Sequence, residues 1–156
     1  MRLRSKAREV ALHLLYQIEI SKKDYKVAFQ SYLESNPQEQ EVIDFSLFLV
    51  EGVIKNLAHI DTLIQKHVKN WKIDRMAFID RNILRIACLE LLFLDDIPPK
   101  VSINEAIELA KRFGDIDSSS FVNGVLDKIY RMESKKKENN TERSEPQQEL
   151  QPPQEQ

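Results

Sequence analysis

Among the residues that could do chemistry, His13, His59 and His67 are too far apart in sequence to form a local metal motif. The chain also has no HExxH pair, no Walker-type phosphate loop, no GxSxG elbow and no zinc-type cysteine pair. Cys88 is the one cysteine, so an intramolecular disulfide and a cysteine-rich zinc site are both excluded. On its apolar segment it reads as an inert core thiol, in keeping with a reducing compartment. Asp80 could be a buried acid, although such a residue more often pairs with an arginine or caps a neighbouring helix. The expectation is a protein with no catalytic group, no metal and no cofactor.

Binding chemistry is better represented. Arg2, Arg4, Lys6 and Arg8 fall within the first eight residues with no acid among them. Cations at a helix N-terminus oppose the macrodipole, so local helix stability does not select them. A fixed array of arginine forks suits phosphates, and a solubilising charge run fits the same composition equally well. On the last helix Phe121 falls within about 20° of Lys128 on the helical wheel. Such a pair can stack a base and hold its phosphate, or be a peripheral core ring beside a solvated lysine. Gly124 on that helix would admit the close approach of a neighbouring helix or of a nucleic-acid backbone. On the first helix Ala7, Ala11, Leu14, Leu15 and Ile18 make one apolar stripe, while Leu12, Tyr16 and Ile20 follow each other on nearly the opposite side. Either a neighbouring helix of the same chain or a partner protein must cover that second strip.

The elements that hold these residues are helices. Of 156 residues 42% are hydrophobic and only three are glycine, which supplies one modest core and few of the tight turns that a β-sandwich or a nucleotide-binding α/β fold needs. The periodicity predicts an all-α protein of about seven helices, near 3–20, 25–35, 38–56, 59–69, 75–95, 103–113 and 118–133. The fifth, apolar almost all round despite Asp80, Arg81, Asn82, Arg85 and Glu90, belongs at the centre. Pro37 suits a first turn, Pro98 and Pro99 impose an extended connection, Ser102 with Glu105 reads as a capping box, Gly114 as a left-handed stop, and Asp117 or Ser118 as the last cap.

Residues 1–133 form the expected folded body. Residues 134–156, with three prolines, five glutamines and Leu150 as the one large aliphatic residue, read as a disordered polar tail. Net charge is −2, from 23 Lys and Arg against 25 Asp and Glu, which argues against indiscriminate coating of nucleic acid. The charges are segregated: 27–54 carries Glu34, Glu39, Glu41, Asp44 and Glu51 with no base. No apolar run approaches the roughly 18 to 20 residues of a membrane span. Residues 1–8 lack the apolar core of a secretory signal, so a cytoplasmic location without membrane attachment is expected.

Four stretches carry a resemblance. KVSINEAIELAKRFG (100–114) followed by SSSFVNGVLDKI (118–129), with RSKAREVALHLLY (4–16) and DRNILRIACLEL (80–91) in order, is similar to the NusB family of bacterial transcription antitermination factors. The resemblance spans about 2–130. It implies two small helical subdomains and an RNA-binding adaptor, not an enzyme. The implied ligands are boxA RNA of nascent ribosomal RNA leaders and NusE, the small-subunit ribosomal protein, with other Nus factors and RNA polymerase joining the assembly. It also allows a homodimer, or an accessory role beside ribosomal RNA methyltransferases. For RNA it implies Arg2, Arg4, Lys6 and Arg8 on the first helix and Asp117, Ser120, Phe121 and Asn123 at the last. For NusE it implies Tyr16 and Asp80, with Leu12, Ile20 and Asp74 nearby. Ser5 and Ser120 stand where family members often carry basic residues, so two phosphate contacts are expected to be missing.

Overall fold

Apolar periodicity of this strength folds as helices packed on helices. The computed structural model describes the backbone of residues 2–149 and the side chains of 2–133. The expected tail, 134–156, thus lies outside the residues described in full. In chain order the helices are α1 (Arg2–Ser21), α2 (Tyr25–Ser35), α3 (Gln40–Lys55), α4 (Leu57–Lys66), α5 (Phe78–Phe93), α6 (Pro99–Phe113) and α7 (Ser118–Glu149), with one 3-10 turn at Ile73–Arg75 before α5. The described residues contain no strand.

The helices form two groups, α1 to α3 and α4 to α7, joined where α1 and α3 lie against α5. Their apolar faces merge into one core. The central place expected for α5 is borne out: Asn82 through Glu90 are all buried. Two of its buried polar interruptions are satisfied within the fold. Asn82 donates to the Phe78 carbonyl at 2.9 Å, and Arg85 forks onto Asp61 at 2.8 and 2.9 Å while also reaching Glu19 at 2.6 Å. Buried Cys88 has its thiol pushed up to about 12 by burial, with Asp61 adding to the shift, so it is unreactive at neutral pH.

Three local expectations are corrected. Pro99 does not extend the connection: α6 begins on it, because proline at the first helical position lacks only an N–H that would have no partner there. Ser102 therefore sits inside the helix and is no cap. Its hydroxyl is buried and donates to Glu90 at 2.8 Å. Gly114 ends α6 with φ −91°, outside the left-handed region. Glycine is required there because a Cβ would strike the Ser118 side chain and the Ala110 carbonyl oxygen.

Candidate functional site

The start of α1 presents fewer free cations than its sequence carries. Arg2 and Lys6 are exposed. Arg4 keeps 38% of its side chain exposed, reaches Asp96 at 3.7 Å and lies over the Phe45 ring at 4.8 Å. Arg8, expected on the phosphate track, is buried instead. Its Nε and Nη2 donate to the two Glu90 carboxylate oxygens at 2.8 and 2.7 Å, and Nη1 lies 3.5 Å from Glu105. The reason is positional: Arg8 shares a helical stripe with Ala11, Leu12 and Leu15, all buried against α3 and α5.

Leu12 is corrected on the same grounds. It has no exposed surface, because helices of this chain cover α1 from two sides along its middle. The second strip emerges only further on, at Tyr16 (39% exposed) and Ile20 (54%). Tyr16 meets Phe78 edge-on with ring centroids 5.9 Å apart, and the Arg81 guanidinium lies 4.3 Å over the same Phe78 ring. Arg81 is held there by Glu19 at 3.1 and 3.0 Å. Tyr16, Ile20 and half-exposed Phe78 thus form a braced apolar face, with Asp74 exposed on the 3-10 turn before α5.

The start of α7 is set by a tight turn. Backbone N–H of Asp115 donates to Ser118 Oγ at 3.0 Å, and Asp115 Oδ1 accepts from the Asp117 N–H at 2.9 Å and from the Ser118 hydroxyl at 3.2 Å. Asp117, Ser120 and Asn123 are left exposed and Phe121 half-buried. No atom lies within 4 Å of a Cβ built on Gly124, so no neighbouring helix approaches it.

Phe121 is one wall of a cleft of about 280 Å³, lined also by Trp71, Arg75, Met76, Ala77, Asp80, Asp115 and Asp117. Here the expectation for Asp80 changes. It neither pairs with an arginine nor caps a neighbour, since Arg81 and Arg85 turn to Glu19 and Asp61. Its Oδ1 is buried with no hydrogen-bond partner. Burial raises the Asp80 carboxyl above its ordinary range and Asp115 adds to this, while the Ser118 hydroxyl beside it pulls back. Trp71, the only tryptophan of the chain, is 58% exposed on this cleft. Sequence reasoning missed it, although a lone indole inside the polar run KNWK is a signal in itself.

The two basic and aromatic ends are not adjacent. Arg8 meets Glu90 while Glu19 meets Arg81 and Arg85, so α1 and α5 are antiparallel. The ten residues of α5 between Asp80 and Glu90 put the start of α1 about 15 Å from the cleft. Helix α6 runs alongside α1 between them: Ser5 donates to Glu105, Arg112 pairs with Glu9 at 3.1 Å, and the Phe113 ring packs edge-on to His13 at 5.1 Å. Exposed Lys111 and Arg112, which sequence reasoning took only as the end of a helix, therefore supply cations in the gap.

Among the described residues no helix is long and apolar enough to cross a membrane, and no group of three or more His, Cys, Asp or Glu could hold a metal ion. A family model described as the NusB family matches residues 5–131. The transcription antitermination protein NusB of Myxococcus xanthus is 47% identical over 133 residues, covering 83% of this chain and 95% of that protein. The protein of the same name from Chloroherpeton thalassium is 48% identical over 128 residues, covering 81% of this chain, which spans 61% of that longer relative. Among solved structures, a crystal structure of antitermination factors NusB and NusE in complex with dsRNA matches with a TM-score of 0.77 and 31% identity, covering 85% of this chain and 98% of that one.

Proposed function

This chain belongs to the NusB family of transcription antitermination proteins, and from that premise we propose that it binds boxA-type RNA of nascent ribosomal RNA leaders jointly with NusE. Together with other Nus factors the pair assembles on RNA polymerase and suppresses termination, in the cytoplasm, where the transcript is made. It acts as an adaptor and not as an enzyme. The observation that carries the reading is the likeness, over 98% of its chain, to a NusB solved with NusE and dsRNA.

The RNA track runs from Arg2, Arg4 and Lys6 past Lys111 and Arg112 to Ser120, Phe121 and Asn123, with Asp117 at its edge. Its cations are too few and too spaced to bind tightly alone, because each phosphate contact on a single strand contributes only about 0.7 to the salt slope. NusE docks on the face of Tyr16, Ile20 and Phe78, with Asp74 beside it, and prolongs the track. Protein pairing and RNA binding then strengthen each other through one ternary interface. Both activities lie in the body 1–133. The test is binding of a short boxA-like RNA and a scrambled control, each with and without NusE, at near-physiological salt. Selective binding that NusE strengthens supports the proposal; equal weak binding to both RNAs, indifferent to NusE, overturns it.

A further inference from the structure

Helices α3 and α5 close on each other where Gly52 faces Leu89; a Cβ built on Gly52 would lie 2.6 Å from a Leu89 methyl carbon. One turn before Gly52, Phe48 shares an open recess of about 480 Å³ with Leu94, just past the end of α5, so the two helices run antiparallel here. Arg4, Glu41, Asp44 and Phe45 complete the lining. Phe48 and Phe93, at this same end of the two helices, are each nearly half exposed.

The Phe45 and Phe48 rings are parallel to within 6°, with centroids 6.4 Å apart, but only Phe45 carries cations. The Arg4 and Arg8 guanidinium groups lie 4.8 and 5.6 Å from its centroid. No cation of the described residues lies over Phe48 or pairs with Glu41 or Asp44, and Asp44 accepts only from Gln40 Nε2, at 2.7 Å. We propose that this recess is a docking surface for an arginine-bearing amphipathic segment of a partner protein. An arginine of that segment lies on Phe48 and pairs with Asp44, and an apolar side chain beside it rests on Phe93 and Leu94. The surface is about 20 Å along α5 from Phe78, so it is separate from the NusE face and does not depend on the RNA and NusE reading.

Charge selects the occupant. Residues 27–54 carry Glu34, Glu39, Glu41, Asp44 and Glu51 and no base, and Asp95 and Asp96 stand exposed on the loop next to Leu94. A nucleic-acid strand would bring its phosphates against Glu41 and Asp44. A second copy of this chain would set the acidic face against itself about a two-fold axis. A basic segment meets opposite charge on all sides except Arg4. Arginine is preferred to lysine because a guanidinium both stacks on a ring and forks onto a carboxylate. Arg4 shows that mode inside the fold, covering Phe45 while it reaches Asp96 at 3.7 Å. An exposed aromatic centre rimmed by charge is also the usual anatomy of a protein-docking surface.

The experiment titrates full-length protein into a fluorescein-labelled amphipathic peptide with leucines on one face and arginines on the other, and into its lysine and glutamine counterparts, followed by anisotropy. The arginine peptide should bind about fivefold more tightly than the lysine peptide, and the glutamine peptide not at all. Phe48→Leu keeps the apolar area and removes the ring, while Asp44→Asn keeps the shape and removes the charge. Both positions are exposed on α3, and circular dichroism verifies that the variants are folded. Each should weaken the arginine peptide by about fivefold and leave RNA and NusE affinities unchanged. Equal binding of the arginine and lysine peptides, indifferent to Phe48→Leu, means charge attraction alone and overturns the proposal, as does absence of binding by the arginine peptide. Loss of RNA affinity in Phe48→Leu gives the recess to RNA. A dimer in sedimentation that Phe48→Leu dissociates, and that the peptide does not displace, gives it to a second copy. Either result overturns the proposal.

Discussion

Arg8 and Glu90 form a two-bonded ion pair, 2.8 and 2.7 Å, whose side chains are 2% and 1% exposed. It ties α1 to the end of α5 and, through Ser102, to α6. A charge in that position serves the fold, because neither member can be removed without stranding the other in the core.

Truncating Arg8 should therefore destabilise the protein before it touches function. Arg8→Ala is expected to cost about 3 to 5 kcal/mol, as for other broken buried pairs. Urea unfolding checks this. Where the variant is still folded, its RNA affinity should be close to that of the parent. A variant of parental stability that has lost RNA binding would return Arg8 to the nucleic-acid surface.

Arg4 and Lys6 should behave in the opposite way. Their ion pairs, with Asp96 and Glu9, are both long at 3.7 Å and leave the two cations partly in solvent, so they contribute little to stability. Each substitution to alanine is expected to leave the melting temperature within a degree or two while lowering the slope of log K against log salt by about 0.7. RNA titrations at several salt concentrations read this directly.

The same contrast shows how far the sequence was legible. Seven helices could be read because apolar spacing is a local property, and α5 declared its central place by being apolar all round. Arg8 was misread because its charge type was given more weight than its place on the stripe of Ala11, Leu12 and Leu15. Leu12 was misread because the wheel shows that a second face needs cover but not how far along the helix the cover extends. Phe78 and Arg112 acquire roles only through contacts with Tyr16 and with Glu9, and Trp71 only by sharing a cleft with Asp115, each at least 44 positions away in the sequence, and no local spacing carries that information.

Tyr16 tests the docking face. It is partly exposed and rests edge-on against Phe78, so Tyr16→Ala removes apolar contact area without opening the core. NusE affinity should fall by about 2 kcal/mol, the size of an interface hot spot, which is roughly thirty-fold in Kd. Binding of the isolated protein to RNA should not change. Calorimetric titration with NusE, beside RNA titration without it, separates the two effects, and an unchanged NusE affinity would remove the docking assignment.

His67 gives the fold an acid-sensitive point that is remote from both surfaces. Its side chain is 3% exposed, with Nε2 3.7 Å from Glu133 and without a hydrogen-bond partner. Burial lowers its pKa below the ordinary 6.5, and Glu133 pulls it back only in part. The unfolded chain therefore takes up the proton more readily than the folded one. The stability this histidine contributes is complete above pH 6.5 and is lost as the pH falls through the lowered folded value. The urea midpoint of the parent should thus drop between about pH 7.5 and about 5.5, before the carboxylates titrate. In His67→Phe, which keeps the volume and removes the titrating ring, the midpoint should be nearly flat over that range. Equal pH dependence in the two proteins would mean that another group controls the loss.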